Sequence, residues 1–456
     1  MTRTDTIVAL ATPPGKGAIS VIRLSGAESR VLLERRFHSR LQAELLDRTP
    51  VLGRLIDTSG HPIDQVLATF FPAPHSYTGE DVIEISCHGS PPLARRIVEM
   101  FLEFGARLAE PGEFTMRAFL NGKMDLAQAE AVRDLIESQT VFQAKVATEQ
   151  LDGKLSRLLQ PLKTELIRVI SHMETTIEFV EDQAAPEARE SLRRSIREVG
   201  LRLQELSATF ALGKIVHDGL LVSIAGRPNA GKSSLFNALL LEDRAIVTEI
   251  PGTTRDALTE TIDVQGIPVR LVDTAGIRQA SDLVESLGVQ KSLDFLKQSD
   301  LVLFVVDRNA EFAEDDLRVW ANIRHAPCIL VLNKEDLPAH VKIPDEIAGS
   351  CAATVHVSAL RRVHLDELKE AILQAAAPEG GIEREGVVLT NARHKQCVEL
   401  ARRYLQSGLQ SYESGLSEEF PLYEFRKTLE ALGQITGETT VEDILQQIFS
   451  TFCIGK

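Results

Sequence analysis

The spacing of apolar and polar positions changes character along this chain, and each change predicts a different kind of element. Over residues 1–120, short β-rich runs alternate with Gly/Pro punctuation such as Pro13-Pro14-Gly15. The runs are Thr6–Leu10, Ala18–Ile22, Val66–Phe71 and Asp81–Ser86, with one helical stretch from Leu93 to Phe104. Short runs bounded by turn formers predict strands, so this part reads as a compact α+β domain. Over residues 121–215 Gly and Pro become rare and Leu151, Leu155, Leu158, Leu159, Leu162, Leu166 and Ile170 recur at helical spacing, which predicts long packed helices. Residues 216–378 alternate apolar strands (Leu220–Ala225, Val269–Val272, Leu301–Val306, Cys328–Leu332, Val355–Val357) with helical segments, the rhythm of a mainly parallel sheet covered by helices. After Pro378-Glu379-Gly380-Gly381, residues 379–456 turn helical again, with Cys397, Leu400, Ala401 and Leu405 on one face. A last helix opens at the capping-box pattern Thr439-Thr440-Val441-Glu442 and carries Val441, Ile444, Leu445, Ile448 and Phe449. Helical sequence on both sides of a self-contained α/β unit predicts that the unit is inserted into a helical domain whose two pieces pack together, since domain termini commonly lie close.

Composition narrows the function classes. With 456 residues the chain is expected to form several domains. A formal net charge of −15 argues against nucleic-acid binding by bulk charge, so RNA contact would be a local patch. Basic clusters at Arg193, Arg194 and Arg197, and at Arg393, His394, Lys395, Arg402 and Arg403, are the candidates. The five cysteines, Cys87, Cys328, Cys351, Cys397 and Cys453, form no C-x-x-C pair and suit a reducing compartment; the first four sit in apolar runs and read as packed residues. The N-terminus starts no signal peptide and no apolar stretch approaches spanning length, so a cytoplasmic protein is expected.

The chemistry concentrates in residues 216–378. Gly226-Arg227-Pro228-Asn229-Ala230-Gly231-Lys232-Ser233 follows one strand and leads into a helix from Ser234. In that context glycine amides wrap phosphate oxygens, Lys232 reaches the outer phosphates and Ser233 ligates magnesium. Asp273-Thr274-Ala275-Gly276, at the end of a second strand, supplies a carboxylate that holds magnesium through water and a glycine amide for the γ-phosphate. Asn333-Lys334-Glu335-Asp336 follows a third: its Asp accepts hydrogen bonds from the N1–H and amino group of guanine, which adenine does not offer. Ser358-Ala359-Leu360, after a fourth, brings a backbone N–H to the guanine carbonyl. The hydroxyl-rich Thr248–Asp256 reads as a switch, with Thr254 completing the magnesium shell. Ile277 stands where small signalling GTPases carry a water-orienting Gln, so water and charge in the transition state need other partners. Asn229 offers an oxygen for a monovalent cation beside the phosphates.

These stretches, together with Ala11–Gly17, Tyr77–Asp81, Phe119–Ala129 and the terminal Phe452-Cys453-Ile454-Gly455-Lys456, resemble the MnmE (TrmE) family of tRNA-modifying GTPases along the whole chain. The resemblance implies an N-terminal folate-binding and dimerisation domain, a discontinuous all-α domain, and an inserted α/β P-loop G domain. It implies a potassium- and magnesium-dependent GTPase in which Asn229, Thr248, Ile250 and Thr253 line the potassium ion, and in which G domains meet across a homodimer. Catalysis falls to Glu285, acting on the attacking water, with Lys232 and Thr254; Cys453 takes part in the tRNA chemistry. A 5-formyl- or 5,10-methylene-tetrahydrofolate would bind Arg23, Glu80, Lys123 and Lys456. With an FAD-dependent MnmG-like partner in a heterotetramer, such a protein modifies C5 of the wobble uridine of certain tRNAs to carboxymethylaminomethyl- or aminomethyluridine. The residues alone leave open a ribosome-assembly or RNA-binding regulatory GTPase, or a GTP-binding scaffold without turnover.

Overall fold

The computed structural model describes residues 5–39, 46–178, 186–242, 259–273, 295–376, 389–439 and 442–456. They form two compact units: Met1–Arg133 with Gln150–Gln160 and Leu429–Lys456, and Asp134–Glu149 with Pro161–Thr428.

The first unit is built on a seven-stranded sheet of β1 (Ile7–Leu10), β2 (Ile19–Ser25), β3 (Phe37–Ser39), β4 (Val51–Ile56), β5 (Pro62–Phe71), β6 (Val82–His88) and β7 (Arg107–Leu108), in the order β3-β4-β5-β6-β2-β1-β7. All neighbours pair antiparallel except β1 with β7. The period of two sends Ile22, Leu24, Val66, Ala68, Ile83 and Ile85 to one face, where they pack on Leu32, Leu33, Ile97, Met100 and Phe101 of helices Ser29–Glu34 and Pro91–Glu103. The expected strands are β1, β2, β5 and β6. The expectation omitted β3, β4 and β7, which are two to six residues long and rich in polar or glycine positions. The same unit holds a helical cluster in which Leu126, Ala129 and Val132 pack against Ile448, Phe449 and Phe452. The last helix starts at Glu442.

The second unit contains β8 (Leu220–Ala225), β9 (Thr259–Val264), β10 (Ile267–Asp273), β11 (Leu301–Asp307), β12 (Cys328–Asn333) and β13 (Ala353–Val357), in the order β13-β12-β11-β8-β10-β9. Only β9 runs antiparallel, paired with β10 across the turn at Gln265-Gly266. The central strands β8, β11 and β12 are near-continuous apolar runs because both faces are covered. Parallel pairing brings the C-terminal ends of β8, β10, β11, β12 and β13 to one edge of the sheet, the place where α/β sheets bind ligands.

Helix Pro186–Ala208 packs along helix Ala392–Glu413, with Ile196, Val199 and Leu203 buried on one and Cys397, Ala401 and Leu405 on the other. Helical pieces before and after the sheet therefore do meet. Helix Lys154–Glu178 buries Leu155, Leu159, Leu162, Leu166, Val169, Ile170 and Met173, whereas Leu158 is 47 % exposed. Leu158 lies one position off the apolar stripe, and about 100° per residue is enough to turn it to solvent. Among the described residues no helix is long and apolar enough to cross a membrane.

Candidate nucleotide site and a second cationic site

The loop between β8 and helix Lys232–Glu242 is held by the groups that sequence assigns to the nucleotide. Gly231 sits at φ +93°, and a Cβ there would lie 2.1 Å from Nδ2 of Asn333, so no other residue fits without displacing that side chain. Asn333, only 2 % exposed, donates from Nδ2 to the Ala230 carbonyl at 3.0 Å. Its Oδ1 accepts the Ala359 N–H at 3.1 Å. One amide thus ties the phosphate loop, the guanine-reading segment and the segment after β13 together. Of the backbone N–H groups in Ser358-Ala359-Leu360, that of Ala359 is held by Asn333, whose carboxamide reaches across from the adjacent strand.

Lys232 Nζ donates to the carbonyl of Arg227 at 2.8 Å, and Ser233 Oγ donates to Asp273 Oδ2 at 2.7 Å. The hydroxyl and the carboxylate converge from two strand ends, a pair of hard oxygen donors suited to magnesium. Asp336 Oδ1 accepts from Ser358 Oγ at 2.5 Å, and that hydrogen bond is the main reason its carboxyl is held below the usual range. Asp336 is exposed and ionised, as a receptor for guanine N–H donors requires. Lys334, at φ +67°, places Nζ 2.6 Å from Asp307 Oδ2. Asn229 and Ser234 are exposed at the loop, Asn229 in the left-handed conformation at φ +64°. Thr248, Ile250, Thr253, Thr254, Thr274, Ala275, Gly276, Ile277 and Glu285 lie outside the described residues.

A second constellation forms in the first unit. Arg23 on β2 faces Glu84 on β6, its registered cross-strand partner, with Nη2 at 2.7 Å from Oε1. The guanidinium lies 5.2 Å from the ring centroid of Tyr77 and 5.7 Å from that of Phe114, and Nη1 donates to the Gly455 carbonyl at 3.5 Å. The C-terminal tail is pinned beside it: the Phe114 N–H donates to the Lys456 carbonyl at 3.2 Å and the Gly112 N–H to that of Cys453 at 3.4 Å. Burial, and then the Arg23 charge, pull the Lys456 ammonium below the usual lysine range. Two cations and an exposed thiol, Cys453, thus share one neighbourhood. Glu80 accepts from Ser25 Oγ at 2.7 Å and from Arg117 Nη1 at 3.0 Å, while Lys123 Nζ donates to the Pro74 carbonyl at 3.0 Å. Tyr77 and Glu84, which flank Arg23, are not singled out by the sequence as part of this constellation. The strand alternation that puts Glu84 on the face of Arg23 was readable, but the register pairing them was not.

The basic clusters carry surface ion pairs: Arg197 Nη2 lies 2.6 Å from Glu413 Oε1 and Arg193 Nη1 2.7 Å from Glu190 Oε2. Arg402 pairs with Glu399 at 3.2 Å. Arg194 and Arg403 remain exposed. Cys87, Cys328 and Cys397 are buried, and Cys351, at the end of helix Asp345–Ser350, is partly buried against the apolar cluster that contains Cys328.

The family model "GTP-binding protein TrmE N-terminus" matches residues 6–123, and the model "MnmE helical domain" matches residues 126–453. Among curated proteins, a tRNA modification GTPase MnmE of Koribacter versatilis is 49 % identical over 99 % of this chain and 99 % of its own. The protein of that name from Aquifex aeolicus is 43 % identical over 99 % of this chain and 100 % of its own. With matches at this level along its length, the chain belongs to the MnmE family of tRNA modification GTPases.

Proposed function

We propose that this protein hydrolyses GTP in a potassium-dependent reaction and, as a homodimer with an FAD-dependent MnmG-like partner, uses the cycle to modify C5 of the wobble uridine of certain tRNAs. The observation that carries the nucleotide part is the ionised Asp336 braced by Ser358 beside Asn333, which joins base recognition to the phosphate loop. Ser233 and Asp273 would hold magnesium, with Thr254 completing the set; the ion neutralises phosphate charge. Potassium would take an oxygen from Asn229 and others from Thr248, Ile250 and Thr253, supplying the charge an arginine finger supplies elsewhere. Lys232, with three N–H donors, would keep the Arg227 carbonyl while reaching the outer phosphates, and Glu285 would orient the attacking water.

In the N-terminal domain, Arg23 and Lys456 suit the glutamyl carboxylates of a tetrahydrofolate, and Tyr77 supplies a flat face for its ring. Glu80 and Lys123 would complete that site, and Cys453 would act in the transfer of the one-carbon unit to tRNA. Dimerisation through this domain is supported by an apolar row on the solvent face of its sheet: Leu52 on β4 registers with Leu67 on β5, and both are exposed, as is Ile19 on β2. The domain division at residues 120, 215 and 378 and a cytoplasmic setting belong to the same proposal. GTPase rates measured in potassium and in sodium test it. Faster turnover in potassium is expected, and equal rates in the two salts overturn the assignment of Asn229.

A further inference from the structure

One buried carboxylate faces the phosphate loop without a role in the site as described. Asp316, in the first turn of helix Glu314–Ile323, is fully buried, while Glu314 and Asp315 beside it are exposed and paired with Arg318. Its Oδ2 accepts the Ala313 N–H at 3.0 Å and lies 3.4 Å from Nη1 of Arg227. Its Oδ1 is buried and has no hydrogen-bond partner among the described residues. Arg227 is the second residue of the loop, and its carbonyl receives the hydrogen bond from Lys232 Nζ. The residue whose backbone engages the phosphate-binding lysine is therefore the residue whose side chain Asp316 holds.

Buried carboxylates normally have both oxygens satisfied, and a guanidinium is shaped to serve two oxygens at once. We propose that Asp316 is a positioning residue for the phosphate loop: it grips Arg227 with one oxygen and offers the second to the other arm of the guanidinium, so that closure of this pair and phosphate binding at Lys232 favour each other. The proposal rests on the guanine-nucleotide reading above. GDP and GTP should benefit alike, because both bring the phosphates that Lys232 reaches.

The test uses the full-length chain and fluorescent GDP and GTP analogues with magnesium. Asp316→Asn keeps an oxygen for the Ala313 amide but removes the charge and one acceptor. Arg227→Lys keeps a cation that cannot fork. Each change is expected to raise the Kd for both nucleotides about tenfold, equivalent to about 1.4 kcal/mol, and the double variant should bind no worse than the weaker single one. Single variants with wild-type Kd, or a double variant whose loss is the product of the two single losses, would overturn it. Trp320, on the same helix as Asp316, gives the unfolding temperature by fluorescence; an unchanged temperature with a raised Kd in Arg227→Lys separates positioning from loss of fold. If Asp316→Asn does not fold, the Arg227→Lys Kd decides alone. A wild-type chain that binds neither nucleotide sinks the guanine reading instead, so the two failures are distinguishable.

Discussion

Asn333→Ala should loosen the G domain before any nucleotide is added. The side chain is 2 % exposed and makes two hydrogen bonds, to the Ala230 carbonyl at 3.0 Å and from the Ala359 N–H at 3.1 Å, whose own residues are 0 % and 6 % exposed. Truncation leaves a buried acceptor and a buried donor unpaired, and each costs roughly 1–3 kcal/mol. A total of about 2–6 kcal/mol corresponds to a fall of roughly 5–20 °C in the unfolding temperature of a domain this size. The assay is direct, because the chain has a single tryptophan, Trp320, packed 5.9 Å from Phe304 within this unit, so its fluorescence reports the G domain. Asn333→Asp adds a discriminating arm: it retains the acceptor for Ala359 but sets a carboxylate oxygen against the Ala230 carbonyl, and should be at least as damaging. A fall below about 2 °C for Asn333→Ala, against the range expected from these hydrogen bonds, would refute the bridging role.

Three further outcomes follow from other contacts. Gly266, in the turn between β9 and β10, sits at φ +91° with space for a Cβ only 2.7 Å from Cβ of Phe142, and Thr140 Oγ1 donates to its carbonyl at 2.6 Å. Gly266→Ala should therefore cost about 1–3 kcal/mol in urea unfolding, and Phe142→Gly, which removes the Cβ it meets, should recover part of it when compared with Phe142→Gly alone. His217 lies 3.3 Å from Asp134 and 2.7 Å from Asp218; chiefly the hydrogen bond to Asp134 raises its pKa from 6.5 to about 9. Its contribution, at most roughly 3 kcal/mol, is complete below about pH 6.5 and disappears as pH rises through 9, so the urea midpoint should fall between pH 7 and 10 in the wild type and much less in His217→Gln. Arg23→Ala removes the cation flanked by Tyr77 and Phe114 and should weaken 5-formyltetrahydrofolate binding by about tenfold or more in calorimetry with circular dichroism unchanged, charge-assisted pairs contributing about 1.5–3 kcal/mol; equal affinities would remove Arg23 from the folate site.

The parts legible in the sequence were those encoded locally. Buried on both faces, β8, β11 and β12 are near-continuous apolar runs, and the residues that follow β8 and close β12, from Gly226 to Ser233 and from Asn333 to Asp336, are contiguous. Strand β4 was not legible, because Leu52 is outward-facing and Gly53 and Arg54 interrupt the pattern. What the sequence withheld is pairing between distant segments: Arg23 with Glu84, Arg227 with Asp316 and Gly266 with Phe142 each depend on register or packing between residues 61 or more positions apart. That distinction has a chemical consequence for the site. Asn333 ties Ala230 to Ala359, Ser358 braces Asp336, Ser233 donates to Asp273 and Lys232 donates to Arg227. The residues whose types mark them as nucleotide ligands are also one another's hydrogen-bond partners. Phosphate draws on Lys232 and magnesium on Ser233 through stronger, charge-assisted interactions, whereas the Asn333 bridge joins three segments of the fold through neutral, buried groups. Substitutions at Lys232 or Ser233 should therefore act mainly on binding, and substitutions at Asn333 on stability and binding together, a separation that local sequence alone does not supply.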